Sequence, residues 1–311
     1  MEYIKIKNSD LTVSRLCMGG CPLGRYGWGV VQEQDLIDAV QVAVENGVTM
    51  FDTADTYGLG RSEETLGKAI KEHRKNVVIA TKFGVRVEGR KTFYDNSASW
   101  IRHAVEESLK RLQTDYIDLY QIHYRDDKTP IGKVISTLDD LKKEGKIRYY
   151  GLSNIHENDV EELKAHAGKF VSFQDEYSLA CRKNEKDFFN LSKSLQLTPL
   201  TWGSLGQGIL TGKYDKDCMF GSDDRRSRDI YVNFHGEKLL KNLEIVEVLK
   251  QIAKEVEKPV SSVAIRFILD YLPESVVLAG VKNPKQLAAN CEAFGWKLTK
   301  EQKNKLEEIS R

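Results

Sequence analysis

Val48-Thr49-Met50-Phe51-Asp52-Thr53-Ala54-Asp55-Thr56-Tyr57-Gly58 starts as an apolar run and turns polar at Asp52. A short apolar run bounded by turn residues reads as a strand covered on both faces, as in parallel sheets. Val77-Val78-Ile79-Ala80-Thr81-Lys82-Phe83-Gly84 repeats the pattern and turns polar at Lys82. Tyr57 and Lys82 therefore follow successive buried strands. A free phenol titrates near ~10, and a nearby ammonium ion lowers such a value, so the pair suggests proton transfer. On this reading Lys82 brings Tyr57 toward neutrality.

The same rhythm runs outward in both directions. Strands are expected at 15–20, 49–53, 77–82, 117–123, 147–153, 170–174, 199–203 and 276–280. Amphipathic helices are expected at 35–46, 62–72, 97–112, 131–144, 157–167, 184–195, 239–257 and 284–294. Strict alternation implies parallel strands joined by right-handed crossovers, and eight such units predict a closed (β/α)8 barrel forming one domain over residues 1–311. Ser62 and Ser97 read as helix N-caps, and Pro130 and Pro284 sit near helix starts. Residues 3–13 read as a hairpin closing the barrel floor. Residues 206–236 lack periodicity, and loops of that length are commonly lids; Lys213, Arg225, Arg226, Tyr214 and Tyr231 suit a flap over an anionic, aromatic-bearing ligand. A Rossmann phosphate turn is not expected, because Gly58-Leu59-Gly60 stops short of its glycine pattern.

Composition narrows the function classes. Lys plus Arg number 47 against 46 acidic residues, giving a formal net charge of +1 with no block of one sign, so a nucleic-acid partner is not expected. No apolar run reaches the roughly 20 residues of a membrane span, and Met1-Glu2-Tyr3-Ile4-Lys5 lacks a signal-peptide core. A cytoplasmic location without membrane attachment is the expectation, and the balanced charge suits a monomer or a ring. Five scattered cysteines, without a paired motif, read as reduced packing residues rather than a metal or disulfide set.

Barrel enzymes carry their chemistry at strand C-terminal ends. In order these ends present Asp52 and Tyr57, Lys82, His123, Ser153-Asn154, Gln174, Trp202 and Gly280-Val281-Lys282-Asn283. Asp52 falls within an apolar strand, where an unpaired carboxylate is costly, so Lys82 is its expected partner. His123 reads as a site residue at the barrel mouth or as a satisfied core histidine. Trp202 reads as a site residue or an ordinary core aromatic, and Ser153-Asn154 as site residues or the cap of the next helix.

Phe51-Asp52-Thr53-Ala54-Asp55-Thr56-Tyr57-Gly58, Ala80-Thr81-Lys82, Asp118-Leu119-Tyr120-Gln121-Ile122-His123, Gly151-Leu152-Ser153-Asn154 and Gln174 with Tyr177 together resemble the aldo-keto reductases. Gly208-Ile209-Leu210-Thr211-Gly212-Lys213-Tyr214 is similar to an element of the bacterial and plant branches. The resemblance implies reduction of an aldehyde or ketone with NADPH supplying hydride, and the neutral, polar rim suits a sugar-like substrate. It makes Tyr57 the general acid, tuned by Lys82 and Asp52, with His123 orienting the carbonyl or sharing the proton relay. It assigns Ser153, Asn154 and Gln174 to the nicotinamide carboxamide and Trp202 to its ring. Gly203, Ser204, Leu205, Gly280, Lys282, Gln286 and Asn290 complete the cofactor set, Lys282 facing a 2′-phosphate. NAD(H) is the alternative cofactor. Trp28 and Phe83 would wall the substrate pocket. Arg125, which follows His123 where many members carry proline, would either reach substrate or pair with Asp126 or Asp127. The rival reading is a non-catalytic NADP(H)-binding regulator like the potassium-channel β subunits.

Overall fold

The computed structural model describes residues 1–89 and 91–311. Eight parallel strands close into a barrel in chain order: Leu16–Gly19, Met50–Asp52, Val78–Phe83, Ile117–Ile122, Ile147–Ser153, Ser172–Glu176, Thr198–Trp202 and Val276–Gly280. The last pairs with the first, Leu278 opposite Cys17 and Gly280 opposite Gly19, which closes the ring. The barrel strands are almost wholly buried, as continuous apolar runs require when side chains face both the interior and a ring of helices.

Two cores hold this arrangement. Inside the barrel, Cys17, Met50, Val78, Leu119, Val171, Leu200 and Val276 pack together from the strands. The hairpin of Tyr3–Lys5 and Thr12–Ser14 lies beneath them, and its Ile6, Leu11 and Val13 join this cluster and plug the floor. The outer core lies between strands and helices. Glu33–Glu45, for example, turns Leu36, Ala39, Val40 and Ala43 inward at helical spacing. Each buried aliphatic side chain of that size contributes roughly 1.5–3 kcal/mol. With the floor filled, the cavity lined by the polar strand ends opens at the strand C-terminal end of the barrel.

Several local features depart from the sequence reading. The helix expected at 157–167 is a short 3-10 turn followed by Val160–Lys164. Ser62 is not a cap: Gly60 precedes Arg61–Ile70, and the buried Ser62 hydroxyl donates to the Gly20 carbonyl at 2.7 Å, tying the start of this helix to the end of the first barrel strand. Ser97 does cap its helix, accepting from the Trp100 amide. Val260–Tyr271 was not among the expected helices; its residues 261–269 are all buried, and Arg266 among them pairs with Glu2 at 2.7 Å and Asp270 at 2.9 Å. The hairpin of Val85–Glu88 and Lys91–Tyr94 rises above the third barrel strand and was likewise unexpected. Among the described residues, no helix is long and apolar enough to cross a membrane.

Candidate active site

Asp52 and Lys82 are both buried, and the Lys82 ammonium donates to Asp52 Oδ1 at 2.6 Å and to the Thr53 carbonyl at 2.9 Å. Gln121 and Gln174 each donate an amide hydrogen to Asp52 Oδ2, at 3.0 and 2.8 Å. A carboxylate taken out of water needs such company, and here donors from three further strands meet it at the barrel centre. The arrangement follows from register: Asp52 lies beside Ala80, Lys82 beside Gln121, and Gln174 beside Ser153.

Tyr57 stands above this pair, with the Lys82 ammonium 5.2 Å from its ring centroid. His123 approaches edge-on, ring centroids 6.0 Å apart at 82°. His123 Nδ1 is buried without a hydrogen-bond partner among the described residues. Burial, and then the Lys82 charge, hold the His123 imidazole well below its usual range, so the ring is neutral. The expected lowering of Tyr57 is absent: burial pushes the phenol well above its usual value, and the Asp52 charge adds to the rise. Desolvation outweighs the ammonium, whose charge is balanced by Asp52. Tyr57 is therefore a fully protonated donor beside a neutral imidazole.

A cavity of about 880 Å³ opens from this cluster and runs over the barrel rim. Tyr57, His123, Ser153, Asn154, Gln174 and Trp202 line its inner end. Gly203, Ser204 and Leu205 continue the wall, and Gly280, Lys282, Gln286 and Asn290 lie at the outer end, with Trp28 on the same cavity. Ser153 and Asn154 are not helix caps; their side chains donate to the carbonyls of Gln174 and His123, at 3.0 and 2.9 Å, stitching neighbouring strand ends. Asn283 caps Pro284–Cys291 through the Gln286 amide, and the Lys282 amide donates to Gln286 Oε1 at 2.9 Å. The Lys282 ammonium meets the Trp28 carbonyl across the cavity.

Segment 206–236 covers this cavity as a packed lid. Buried Arg226 pairs with Asp224 and donates to the Tyr214 hydroxyl at 2.6 Å, its guanidinium 4.3 Å from the Phe220 ring centroid. Trp28 and Asp224 form an isolated β-bridge, and the Arg225 amide donates to the Gly27 carbonyl at 3.0 Å, so the lid is stitched to the first strand–helix loop.

Two expected wall residues do not reach the cavity. Phe83 is fully buried in the outer core, its ring 4.6 Å from that of Tyr120, because the strand's alternation turns it away from the interior that Lys82 enters. Arg125 is bound to Asp159 at 3.2 Å and Glu162 at 2.6 Å on the neighbouring unit, not to Asp126 or Asp127. A side pocket of about 320 Å³ next to Tyr57 and His123 is instead lined by Cys21, Tyr26, Thr92, Tyr94, Tyr124 and Arg225. Thr92 and Tyr94 come from the unexpected hairpin. Arg225 belonged to the lid composition noted in the sequence, but no spacing singled it out. Cys21 proves to be a pocket residue, its sulfur accepting from Trp28 Nε1 at 3.4 Å.

The charged lining is lopsided. Lys183, Lys213, Arg225, Arg226, Lys282 and Lys285 face the main cavity against only Asp52 and Glu176 among the described residues. With Asp52 satisfied by Lys82 and Arg226 by Asp224, the lysines of that set fit an elongated polyanion such as a dinucleotide phosphate chain. The inner end, with its amides, Trp202 and a neutral acid–base pair, fits an aromatic amide ring rather than further charge.

The family model described as the aldo/keto reductase family matches residues 15–311. The chain belongs to this family. It is 36% identical over 312 residues to aldo-keto reductase YhdN of Bacillus subtilis, covering 99% of this chain and 93% of that protein. It is also 30% identical to the NADH-specific methylglyoxal reductase of Escherichia coli, over 96% of this chain and 95% of the relative. The structure of the glycerol dehydrogenase AKR11B4 from Gluconobacter oxydans matches with a TM-score of 0.89 at 34% identity, covering 99% of this chain and 94% of that one. Aldo/keto reductases are oxidoreductases, and the closed barrel with its polar rim at the strand C-terminal ends is the framework this member shares with its relatives.

Proposed function

We propose that this aldo/keto reductase is an NADP(H)-dependent enzyme that reduces a small aldehyde or ketone to the alcohol, with Tyr57 as general acid. The observation that carries the reading is the meeting, at one end of a cationic cavity, of a protonated phenol, a neutral imidazole and a buried Asp52–Lys82 pair. Tyr57 donates its proton to the carbonyl oxygen as negative charge develops there. With its pKa raised by burial, the phenol holds its proton at neutral pH and so has it to give as charge develops on the oxygen. His123, neutral and with one nitrogen unpartnered, orients the same oxygen. Lys82 steadies the phenolate left behind, and Asp52 keeps Lys82 in place. The cofactor, when bound, supplies the hydride.

Ser153, Asn154 and Gln174 would hold the carboxamide end of that cofactor and Trp202 its ring. Gly203, Ser204, Leu205 and Gly280 would follow its length. Lys282, Gln286 and Asn290 would take the adenosine phosphate, beside the N-terminus of Pro284–Cys291. Lys282 and the adjoining Lys285 favour a 2′-phosphate over a bare hydroxyl, which is the ground for NADPH over NADH.

The test is consumption of NADPH in the presence of small aldehydes, ketones and sugars, with the alcohol product identified by mass. Turnover dependent on a carbonyl compound is expected. Tight NADPH binding without turnover of any carbonyl would contradict the reading.

A further inference from the structure

Resting on the reductase reading, the side pocket says something about what the substrate carries besides its carbonyl. The pocket adjoins Tyr57 and His123, where the carbonyl would sit, and reaches to Val85, Thr92 and Tyr94 of the hairpin, with Arg225 of the lid on its edge. Its walls include Tyr26, Tyr94, Tyr124, Thr92 and Cys21, and among the described residues the only formal charge on them is Arg225, since His123 is neutral. At about 320 Å³ it is near the small end of ligand pockets, so it takes a short chain rather than a second ring system.

Arg225 differs from its neighbour Arg226. Arg226 is buried and closes an ion pair with Asp224, so its charge is already matched. Arg225 makes no ion pair with a carboxylate among the described residues, although it stands half-buried at the cavity edge. Its partners are neutral: Nη2 donates to the Tyr26 carbonyl at 2.8 Å, and Nη1 lies 3.9 Å from Cys21 Sγ. The guanidinium also rests over two rings, 5.3 Å from the Trp28 centroid and 5.6 Å from that of Tyr26. Those contacts fix its plane without neutralising it. A guanidinium has five N–H donors, and those left over present a flat fork of the kind that binds a carboxylate or phosphate through two hydrogen bonds.

We propose that Arg225 and the aromatic walls beside it form an oxyanion subsite next to Tyr57, so that the preferred substrates are short aldehydes or ketones bearing a carboxylate or phosphate away from the carbonyl. Tyr57 and His123 hold the carbonyl end, and Arg225, carried on the lid, holds the anionic end. Binding then couples lid position to substrate: an anion on Arg225 adds a contact between the lid and the first strand–helix loop, where the Gly27 and Tyr26 carbonyls already bind it.

The experiment compares kcat/KM for matched pairs, succinic semialdehyde against butanal and phosphoglycolaldehyde against glycolaldehyde, in the unaltered enzyme, Arg225→Met and Arg225→Lys. The two pairs distinguish a carboxylate-reading site from a phosphate-reading one. The unaltered enzyme is expected to favour the anionic member of at least one pair. Arg225→Met should reduce that preference by about 10–100-fold, mainly through KM, as expected for a lost charge-assisted fork. Arg225→Lys should retain part of it. Because each value is a ratio within one variant, a general loosening of the lid cancels. As a second measurement without mutation, succinate should inhibit butanal turnover competitively, and less so as salt rises. Turnover of the neutral members with no preference for the anionic ones, or equal loss on both in Arg225→Met, overturns the subsite and leaves the reductase function intact. Failure to turn over any carbonyl with NADPH or NADH overturns the function, and this inference with it.

Discussion

The two ends of the cavity are built on opposite electrostatic plans. At the inner end the buried charges of Asp52 and Lys82 neutralise each other, and the groups that face the reacting carbonyl, Tyr57 and His123, are uncharged. At the outer end and along the lid, cations outnumber acids, and several face open space. The inner end is also rigid in origin, because its side chains leave adjacent barrel strands whose register sets their spacing. The outer end is assembled from loops and from a lid held by scattered contacts such as Arg226 with Asp224 and Tyr214. Chemistry that needs a neutral, fixed proton donor is thus kept apart from binding that uses charge. Changes at the inner end should appear in stability and rate, and changes at the outer end in affinity and selectivity.

The largest breach of that contrast is Lys82→Met. It leaves Asp52 buried with two amides but no cation, and removal of one partner from a buried pair costs about 3–5 kcal/mol. Urea unfolding should register that loss together with collapse of activity; a variant of native stability would mean that Asp52 is protonated or hydrated. Arg226→Ala leaves the buried Asp224 unpaired in the lid, at a cost of about 3 kcal/mol felt mainly in local opening of residues 206–236. Hydrogen exchange should rise there and not in the barrel strands. Lys282→Ala should weaken NADPH by roughly 10-fold or more while sparing NADH, read from dissociation constants. Equal losses for both would assign Lys282 to a phosphate that the two cofactors share.

The smallest expected effect concerns pH. His123 is held well below its unfolded value of about 6.5, so the unfolded chain binds the extra proton. Its contribution to stability is complete above about pH 6.5 and is lost as pH falls from there toward its lowered value. Denaturation midpoints should decline on acidification through that window, and His123→Gln should flatten the decline. In activity, His123 should contribute no ionisation between about pH 7 and 8.

The same division governs what could be read in the amino-acid sequence. The barrel, its strand ends and the Asp52, Tyr57, Lys82 and His123 group were legible because an apolar run that turns polar marks both a buried strand and where it opens on the rim. Phe83 was misplaced beside Lys82 because adjacent residues on a strand face opposite sides, and only one can enter the barrel. Arg125 was misread for a different reason: its partners, Asp159 and Glu162, lie on the next unit, beyond any local spacing. Tyr26, Tyr94 and Arg225 meet from three segments far apart in sequence, the first strand–helix loop, the hairpin that ends in Lys91–Tyr94 and the lid. Val260–Tyr271 escaped because it follows Gly236–Glu255 with no strand between them, outside the strict strand–helix alternation.

The central claim is that Tyr57 delivers the proton to the carbonyl oxygen, and single-turnover reduction by Tyr57→Phe with saturating NADPH tests it most directly. The account predicts a rate lower by roughly 10²–10⁴-fold, with the NADPH dissociation constant unchanged and the fold intact. Reduction at the rate of the unaltered enzyme would contradict it.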